Sequence, residues 1–359
     1  MSDLPRTMKA LVAYGKDDYR LEQSFPVPEC GPTDVIIKTE GCGICVSDLK
    51  CQHGAAAYWG GDTPTPAWVD PPFIPGHEFF GVAAKVGEEV KDIAPGDRLA
   101  ADQIVPCREC RFCKTGKYWM CEPHKIFGYF KEINGGMAEY VRLPGRAVIT
   151  KVPNDMPFEQ AVLIEPYGCS KHCVDRAQIG SEDIVVISGA GTLGLGMITY
   201  ARMRNPKTLV VLDMLDARLE KAKEFGADVV INPANTDVVR EIKDMTGGYG
   251  CDIYIEATGN PASVVQGINM IRRLGRFVEF SVFAAETSLD WSIIGDKKEL
   301  DILGSHLSPY AYPFVIENIG NGKLNTRGVV TSTFGLDDWE TAFDHASGKY
   351  GDIKVAFKF

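Results

Sequence analysis

The sequence predicts an α/β protein: a β-rich first part, then a doubly wound parallel sheet of six strands. Three observations predict it. Residues 1 to about 160 are rich in Gly, Pro and short β-like runs. From about 180 to 306, apolar strand candidates alternate with helix-length segments. A glycine-rich turn at 189–194 stands where the first of those strands hands over to a helix.

Taken in chain order, "DVIIKTEG" (34–41), "GVAAKVG" (81–87) and "AEYVRLP" (138–144) read as strands of the β-rich part, bounded by turn residues. The regular part carries strand candidates at 183–188, 208–213, 228–232, 252–257, 276–281 and 300–305. "DARLEKAKEFG" (216–226) and "TDVVREIKDMTGG" (236–248) are helical crossovers between them. The tail, 312–359, ends in "DIKVAFKF", which reads as a strand.

A chain of 359 residues exceeds one typical core and suits two domains. At 45% hydrophobic and 24% charged, it has an ordinary globular composition. The net charge of −10 argues against nucleic-acid and anionic-membrane partners, which select basic surfaces. The first fifteen residues have no apolar core of a secretory signal. The greasiest stretch, "IVVISGAGTLGLGMITYA", is broken by glycines and hydroxyls and reads as a buried strand and helix. Eleven cysteines, an odd number in a large chain, favour reduced thiols and a cytoplasmic location over a disulfide framework.

The turn contains Gly189-x-Gly191-x-x-Gly194. Between a strand and a helix this pattern is a dinucleotide fingerprint: a tight turn, close backbone approach to a pyrophosphate, and close helix–sheet packing. Asp213 ends the next strand, nineteen residues after Gly194, where an acid accepts hydrogen bonds from ribose hydroxyls and repels a 2′-phosphate. Met214 to Ala217 bring no cation that would reverse this preference for NAD. Thr192, Leu193 and Arg218 are placed with them as cofactor-binding residues. The plain alternative is a tight βα turn with no ligand.

Cys107, Cys110, Cys113 and Cys121 form Cys-x₂-Cys-x₂-Cys-x₇-Cys. Four thiolates suit Zn²⁺ and fill its coordination sphere, so this site is expected to be structural. Arg108, Arg111, Lys114 and Lys117 can offset its negative charge. A redox Cys-x-x-Cys is the weaker reading, because the set lies outside a thioredoxin-like βαβ context.

A catalytic zinc needs about three protein ligands and an open position. The candidates are Cys45 in "GCGICVSDLKCQHG", His77 and Glu78 in "PGHEFFG", and Glu165 in "LIEPYG". The second His of H-E-x-x-H is missing, so no metalloprotease is indicated. Together, Gly76-His77-Glu78-x-x-Gly81-x₅-Gly87-x₂-Val90, Gly43-x-Cys45-x-Ser47-Asp48, the four-cysteine lobe and the glycine loop resemble the zinc-dependent medium-chain dehydrogenase/reductase family. The resemblance spans nearly the whole chain. It implies a GroES-like catalytic domain made of 1–166 and 312–359, with a Rossmann NAD-binding domain, 167–311, inserted.

The resemblance also implies two zinc ions per chain. Cys45, His77, Glu78 and Glu165 belong to the catalytic one, and the four clustered cysteines to the structural one. Ser47 would be the first proton-relay group, or a turn hydroxyl bonded to its own backbone. Lys50 stands where many relatives have histidine, and is a candidate for proton exit. A fully ligating Cys45, Glu78 and Glu165 would give formal charge −1 with Zn²⁺, so one carboxylate is expected to act through water or to exchange with substrate.

"IEPYGCSKH" resembles the glutamate-type site of polyol and threonine dehydrogenases. Overall the chain resembles bacterial polyol dehydrogenases, above all those acting on erythritol or threitol. The implied reaction is oxidation of a polyol to its ketose by NAD⁺. Sorbitol or xylitol oxidation, L-threonine oxidation, and a non-catalytic nucleotide-binding relative are the alternatives. Zinc-free quinone reductases lack these ligands.

Tyr58, Trp59 and Trp68, within 53–73, either shape the pocket or pack their loop. His53 has a relay or a structural role; His124, His172, His306 and His345 are expected to be structural. A homodimer or homotetramer is implied, with 281–294 as a candidate interface segment.

Overall fold

The computed structural model describes residues 4–60, 67–283 and 285–359. Residues 61–66 of the expected pocket loop, and 284 of the expected interface segment, lie outside the described residues. The chain divides into two compact units: Met1–Glu165 with Tyr312–Gly320 and Thr326–Phe359, and Pro166–Ala311 with Asn321–Asn325. The return of 321–325 to the second unit has a simple cause. Asn325 donates its N–H to Thr199 Oγ1 (3.2 Å), and its carbonyl accepts from the Tyr167 hydroxyl (2.7 Å). No helix among the described residues is long and apolar enough to cross a membrane.

In chain order the strands are β1 (Thr7–Gly15), β2 (Asp18–Pro26), β3 (Val35–Gly43), β4 (Glu78–Val86), β5 (Arg98–Ala101), β6 (Tyr140–Leu143) and β7 (Ile149–Lys151). They continue as β8 (Ile184–Ser188), β9 (Thr208–Leu212), β10 (Val229–Ile231), β11 (Cys251–Glu256), β12 (Ile271–Glu279) and β13 (Asp301–Gly304). The tail adds β14 (Val330–Phe334) and β15 (Lys354–Lys358).

The first unit holds the β1–β2 hairpin and a seven-stranded sheet of order β14-β15-β3-β4-β5-β7, with β6 also pairing β3. Val35, Ile36 and Ile37 of β3 are all buried, as expected of a strand in the middle of a sheet. The tail is essential to this sheet. Antiparallel β15 sets Phe357 opposite Cys42 and Ala356 opposite Gly43. On the other side of β3, Glu78 stands opposite Gly43. The ends of β3, β4 and β15 therefore meet at one place, and the next residues along β3 lead to Cys45.

The second unit is a six-stranded, wholly parallel sheet of order β10-β9-β8-β11-β12-β13. Each of the six strands expected from the sequence overlaps an observed one, but β12 begins at Ile271, five residues before the expected start at 276. Val186, Val210, Leu212, Tyr254 and Phe277 are buried in its core. The order reverses beside β8, and the loops after β8 and β11 diverge there. That is the switch point at which sheets of this kind bind ligands.

Candidate active site

Cys45 precedes the helix Val46–Gln52, and Asp48 fixes it there: the Cys45 N–H donates to Asp48 Oδ2 (2.8 Å). Asp48 Oδ1 also lies 3.7 Å from His77 Nδ1. One buried carboxylate thus stands beside both residues, and His77 itself comes just before β4. Burial raises the Asp48 pKa, and His77 and the Cys45 N–H oppose that rise.

Cys45 Sγ, a His77 ring nitrogen and a Glu78 carboxylate oxygen lie within 4.8 Å of one another. His77 Nδ1 is buried without a hydrogen-bond partner among the described residues. A thiolate, an imidazole and a carboxylate so arranged fit Zn²⁺. Burial, with Glu78 beside it, pushes the Cys45 thiol up to about 12, and Lys354 works against the rise. A divalent cation removes that obstacle, because a coordinated thiol is deprotonated outright.

Glu165 stands apart from that close group. It lies in the first turn of the helix Ile164–Ala177, and its Oε1 accepts from Gln103 Nε2 at 2.5 Å, both side chains being buried. Ser47 Oγ accepts from the Tyr129 hydroxyl (2.9 Å), and Tyr129 stacks on His77 with ring centroids 5.8 Å apart. Lys50 is half-buried in the last turn of the Cys45 helix; burial lowers its pKa and Cys45 opposes the shift.

The sequence did not single out Lys354. It is buried at 4% exposure and ion-paired with Glu78, itself 3% exposed, and it donates to the Ile44 carbonyl (3.0 Å). Burial alone would lower its pKa, but Glu78 and Cys45 outweigh burial and raise it. Gly43 leaves room for the pair. A Cβ there would stand 2.8 Å from Lys354 Cε and would meet the Glu78 carboxylate. Lys354 and Ile44 are 310 positions apart, so only sheet pairing reveals the contact. Asp48, by contrast, was visible inside the Cys45 motif but had no role until His77 was placed beside it.

Tyr58 is buried and stacks on Tyr129 (5.5 Å), and Trp59 Nε1 donates to the Cys51 carbonyl (2.6 Å), so both pack the loop. Trp68 is partly exposed against Tyr129 (5.0 Å). His53 lies 3.5 Å from Asp17 on the surface, and His345 Nδ1 lies 2.8 Å from Asp352 Oδ2. His172 Nδ1 donates to the carbonyls of His306 and Leu307, which gives it a structural task.

The sulfurs of Cys107, Cys110, Cys113 and Cys121 lie within 4.8 Å of one another, and Cys107 and Cys113 are 3.9 Å apart, far beyond a disulfide. Backbone N–H groups point at them: Cys107 N–H donates to Cys121 Sγ (3.1 Å) and Cys110 N–H to Cys107 Sγ (3.3 Å). N–H groups of Glu122 and Cys113 hold the Cys110 thiol down to about 6, whereas burial pushes Cys121 up to about 12. The set fits one tetrahedral metal with no open position.

In the second unit, Gly189 has φ +106°, and a Cβ there would lie 2.9 Å from the Ala257 carbonyl oxygen. A Cβ on Gly194 would strike the Gly189 carbonyl oxygen. The fold itself demands both glycines. Gly191 differs, because its Cβ would meet only Arg218 Nη1 at 3.9 Å. Gly191 is also the N-cap of the helix Thr192–Arg204, whose first turn, with Thr192 and Leu193, offers N–H groups to an anion. Asp213 follows β9; its carboxylate accepts from the N–H groups of Ala190 (2.8 Å) and Leu215 (2.9 Å), which ties this acid to the glycine loop.

Profiles of the alcohol dehydrogenase GroES-like domain and of the zinc-binding dehydrogenase match residues 31–154 and 192–321. An erythritol/L-threitol dehydrogenase of Mycolicibacterium smegmatis is 45% identical over 358 residues, covering 99% of this chain and 98% of its own. The chain belongs to the zinc-dependent medium-chain dehydrogenase/reductase family. It is an oxidoreductase acting on alcohol donors. An L-threonine 3-dehydrogenase of Pyrococcus abyssi is 34% identical, with 98% of each chain covered. Among solved structures, a zinc-binding dehydrogenase of Sinorhizobium meliloti bound to NADP has TM-score 0.88 at 27% identity, covering 98% of this chain and 99% of its own. An E. coli CFT073 alcohol dehydrogenase with NADH has TM-score 0.88 at 28% identity, covering 99% and 100%.

Proposed function

We propose that this member of the family is an NAD-dependent polyol dehydrogenase that oxidises a four-carbon sugar alcohol, erythritol or threitol, to its ketose. The observation that carries the reading is the 45% identity to an erythritol/L-threitol dehydrogenase across 99% of the chain. Cys45 and His77 hold the catalytic zinc, with Glu78 and Glu165 as its acidic members, and the four clustered cysteines hold a second, structural zinc. When bound, zinc polarises the substrate hydroxyl and NAD⁺ takes up the hydride.

The chain's own groups do the rest. Asp48 fixes the Cys45 backbone and stands by His77. Lys354 offsets one of the carboxylate charges beside the metal. Ser47 Oγ takes the substrate proton as first relay group, steadied by the Tyr129 hydroxyl; Lys50 is a candidate for its exit. Gly191 and the first helical turn, with Thr192 and Leu193, take the pyrophosphate. Asp213 and Arg218 take the adenosine ribose, and Asp213 selects NAD over NADP by repelling a 2′-phosphate.

A second reading, L-threonine oxidation, is favoured by the 34% identity to an L-threonine 3-dehydrogenase. Initial rates of NADH formation with erythritol, D- and L-threitol, xylitol, sorbitol and L-threonine, with and without a zinc chelator, separate the two. Chelator-sensitive preference for a tetritol supports the proposal. Preference for threonine replaces it and keeps the zinc chemistry. Turnover that survives complete zinc removal overturns the metal reading.

A further inference from the structure

Glu165 is an acidic member of the catalytic site by the reading above, yet it stands outside the close group of Cys45, His77 and Glu78. Gln103, 2% exposed, reaches Glu165, 7% exposed, with its amide N–H at 2.5 Å. That donor orients the carboxylate. Glu78, by comparison, is ion-paired with the buried Lys354 ammonium. Gln103 therefore fixes the orientation of the Glu165 carboxylate.

The backbone that carries Gln103 is pinned from both sides. Asp102 N–H donates to the Val148 carbonyl (2.9 Å), Phe127 N–H to the Gln103 carbonyl (2.8 Å), and Val105 N–H to the Lys125 carbonyl (2.8 Å). Next to Gln103, the buried Asp102 carboxylate accepts from the buried Tyr118 hydroxyl. Tyr118 lies between Cys113 and Cys121, in the turn that closes the four-cysteine lobe. Four residues after Gln103 the same segment supplies Cys107, the first cysteine of that lobe. One short segment thus serves the lobe through Asp102, Glu165 through Gln103, and the four-cysteine cluster through Cys107.

We propose that Gln103 is the positioning residue for Glu165, and that the four-cysteine lobe holds Gln103 in register through Tyr118 and Asp102. The lobe is then part of how the catalytic metal site is shaped, as well as a clamp on its own loop. This rests on the reading of Glu165 as a member of that site.

The test uses the full-length zinc-loaded protein and two variants, Gln103→Met and Gln103→Asn. The first removes the donor at similar length; the second keeps an amide that is too short to reach Glu165. Zinc loss to a competing chelator is followed together with the visible spectrum after cobalt(II) replaces zinc. Both variants are expected to lose one zinc per chain about 10–100-fold faster, to shift the cobalt bands, and to lower kcat with KM for NAD⁺ unchanged. The zinc of the four cysteines stays bound. Tyr118→Phe, which keeps the ring, is expected to speed the same loss by about 2- to 30-fold.

Wild-type metal retention and spectrum in whichever Gln103 variant folds overturns the proposal. An effect of Gln103 with none of Tyr118 overturns its coupling to the lobe. Glu165→Gln is the control: if it too leaves retention and spectrum unchanged, the reading of Glu165 as part of the metal site has failed.

Discussion

Replacing Lys354 by methionine removes the ammonium from a buried ion pair and keeps most of the side-chain volume. Glu78, 3% exposed, then faces Cys45 with no ammonium beside it. Removing one partner of a buried pair costs about 3–5 kcal/mol. In a unit of this size each kcal/mol moves Tm by about 2–4 °C, so the metal-stripped variant should melt roughly 6–20 °C below wild type. Part of the loss is the Ile44 carbonyl bond, worth about 1.5–3 kcal/mol as a charged hydrogen bond. The double variant Glu78→Gln/Lys354→Met separates the two effects. It also lacks the Ile44 bond but leaves no buried charge, and it should recover a substantial part of the lost Tm. Zinc loading should shrink the defect of the single variant, since the cation takes over the role of the ammonium. Differential scanning of wild type, both single variants and the double variant, with and without zinc, measures all of these. A metal-free Lys354→Met melting within 2 °C of wild type, or a double variant no better than the single, would refute the charge-compensation argument.

Gly191→Ala should leave Tm unchanged but weaken NADH binding at least tenfold by fluorescence titration, while Gly194→Ala should lower Tm because its Cβ strikes the Gly189 carbonyl. Burial raises the Asp102 pKa to about 7, with Tyr118 opposing, so the folded state binds a proton that the unfolded state gives up near pH 4. Its stabilisation is complete below pH 4 and is lost as pH rises through about 7; the unfolding free energy of wild type relative to Asp102→Asn, from urea titrations, should fall by roughly 2–4 kcal/mol across that window, and parallel curves would reject it. Cys110→Ser should lower both zinc content, by one ion per chain, and Tm; unchanged values of both would remove the structural metal. Asp213→Gly should raise KM for NAD⁺ and relax discrimination against NADP⁺, and an unchanged ratio would take Asp213 off the ribose.

The parallel sheet was legible because each strand is a continuous apolar run flanked by helical crossovers, a purely local pattern. The glycine loop was legible for the same reason: Gly189, Gly194 and Asp213 stand at fixed spacing along a single βαβ unit. So was the cysteine lobe, whose four sulfurs come from fifteen consecutive residues. Tyr58 and Trp59 were ambiguous from sequence, since an aromatic residue beside a metal motif packs or binds with equal ease. Only the stacking on Tyr129 and the bond to Cys51 show that they pack.

The electrostatics of the catalytic site were not legible, and the reason lies in how it is assembled. Cys45, Asp48, His77 and Glu78 come from neighbouring stretches, so their motifs name them. Their combined negative charge created a problem that the motifs left unsolved: a thiolate and two carboxylates exceed the charge of one zinc. Two groups far away in sequence stand beside these carboxylates. Lys354 reaches Glu78 because β15 pairs with β3, and Gln103 reaches Glu165 across 62 positions because β5 ends beside the start of the helix Ile164–Ala177. Neither residue has a characteristic pattern, since lysine and glutamine are ordinary surface residues whose meaning changes only when burial removes water from around them. The two carboxylates are held differently: Glu78 is ion-paired with the Lys354 ammonium, and Glu165 accepts from the Gln103 amide. On the proposed ligand set, the formal charge of −1 expected from sequence falls to zero once Lys354 is counted, and a neutral site would let zinc acidify a bound hydroxyl.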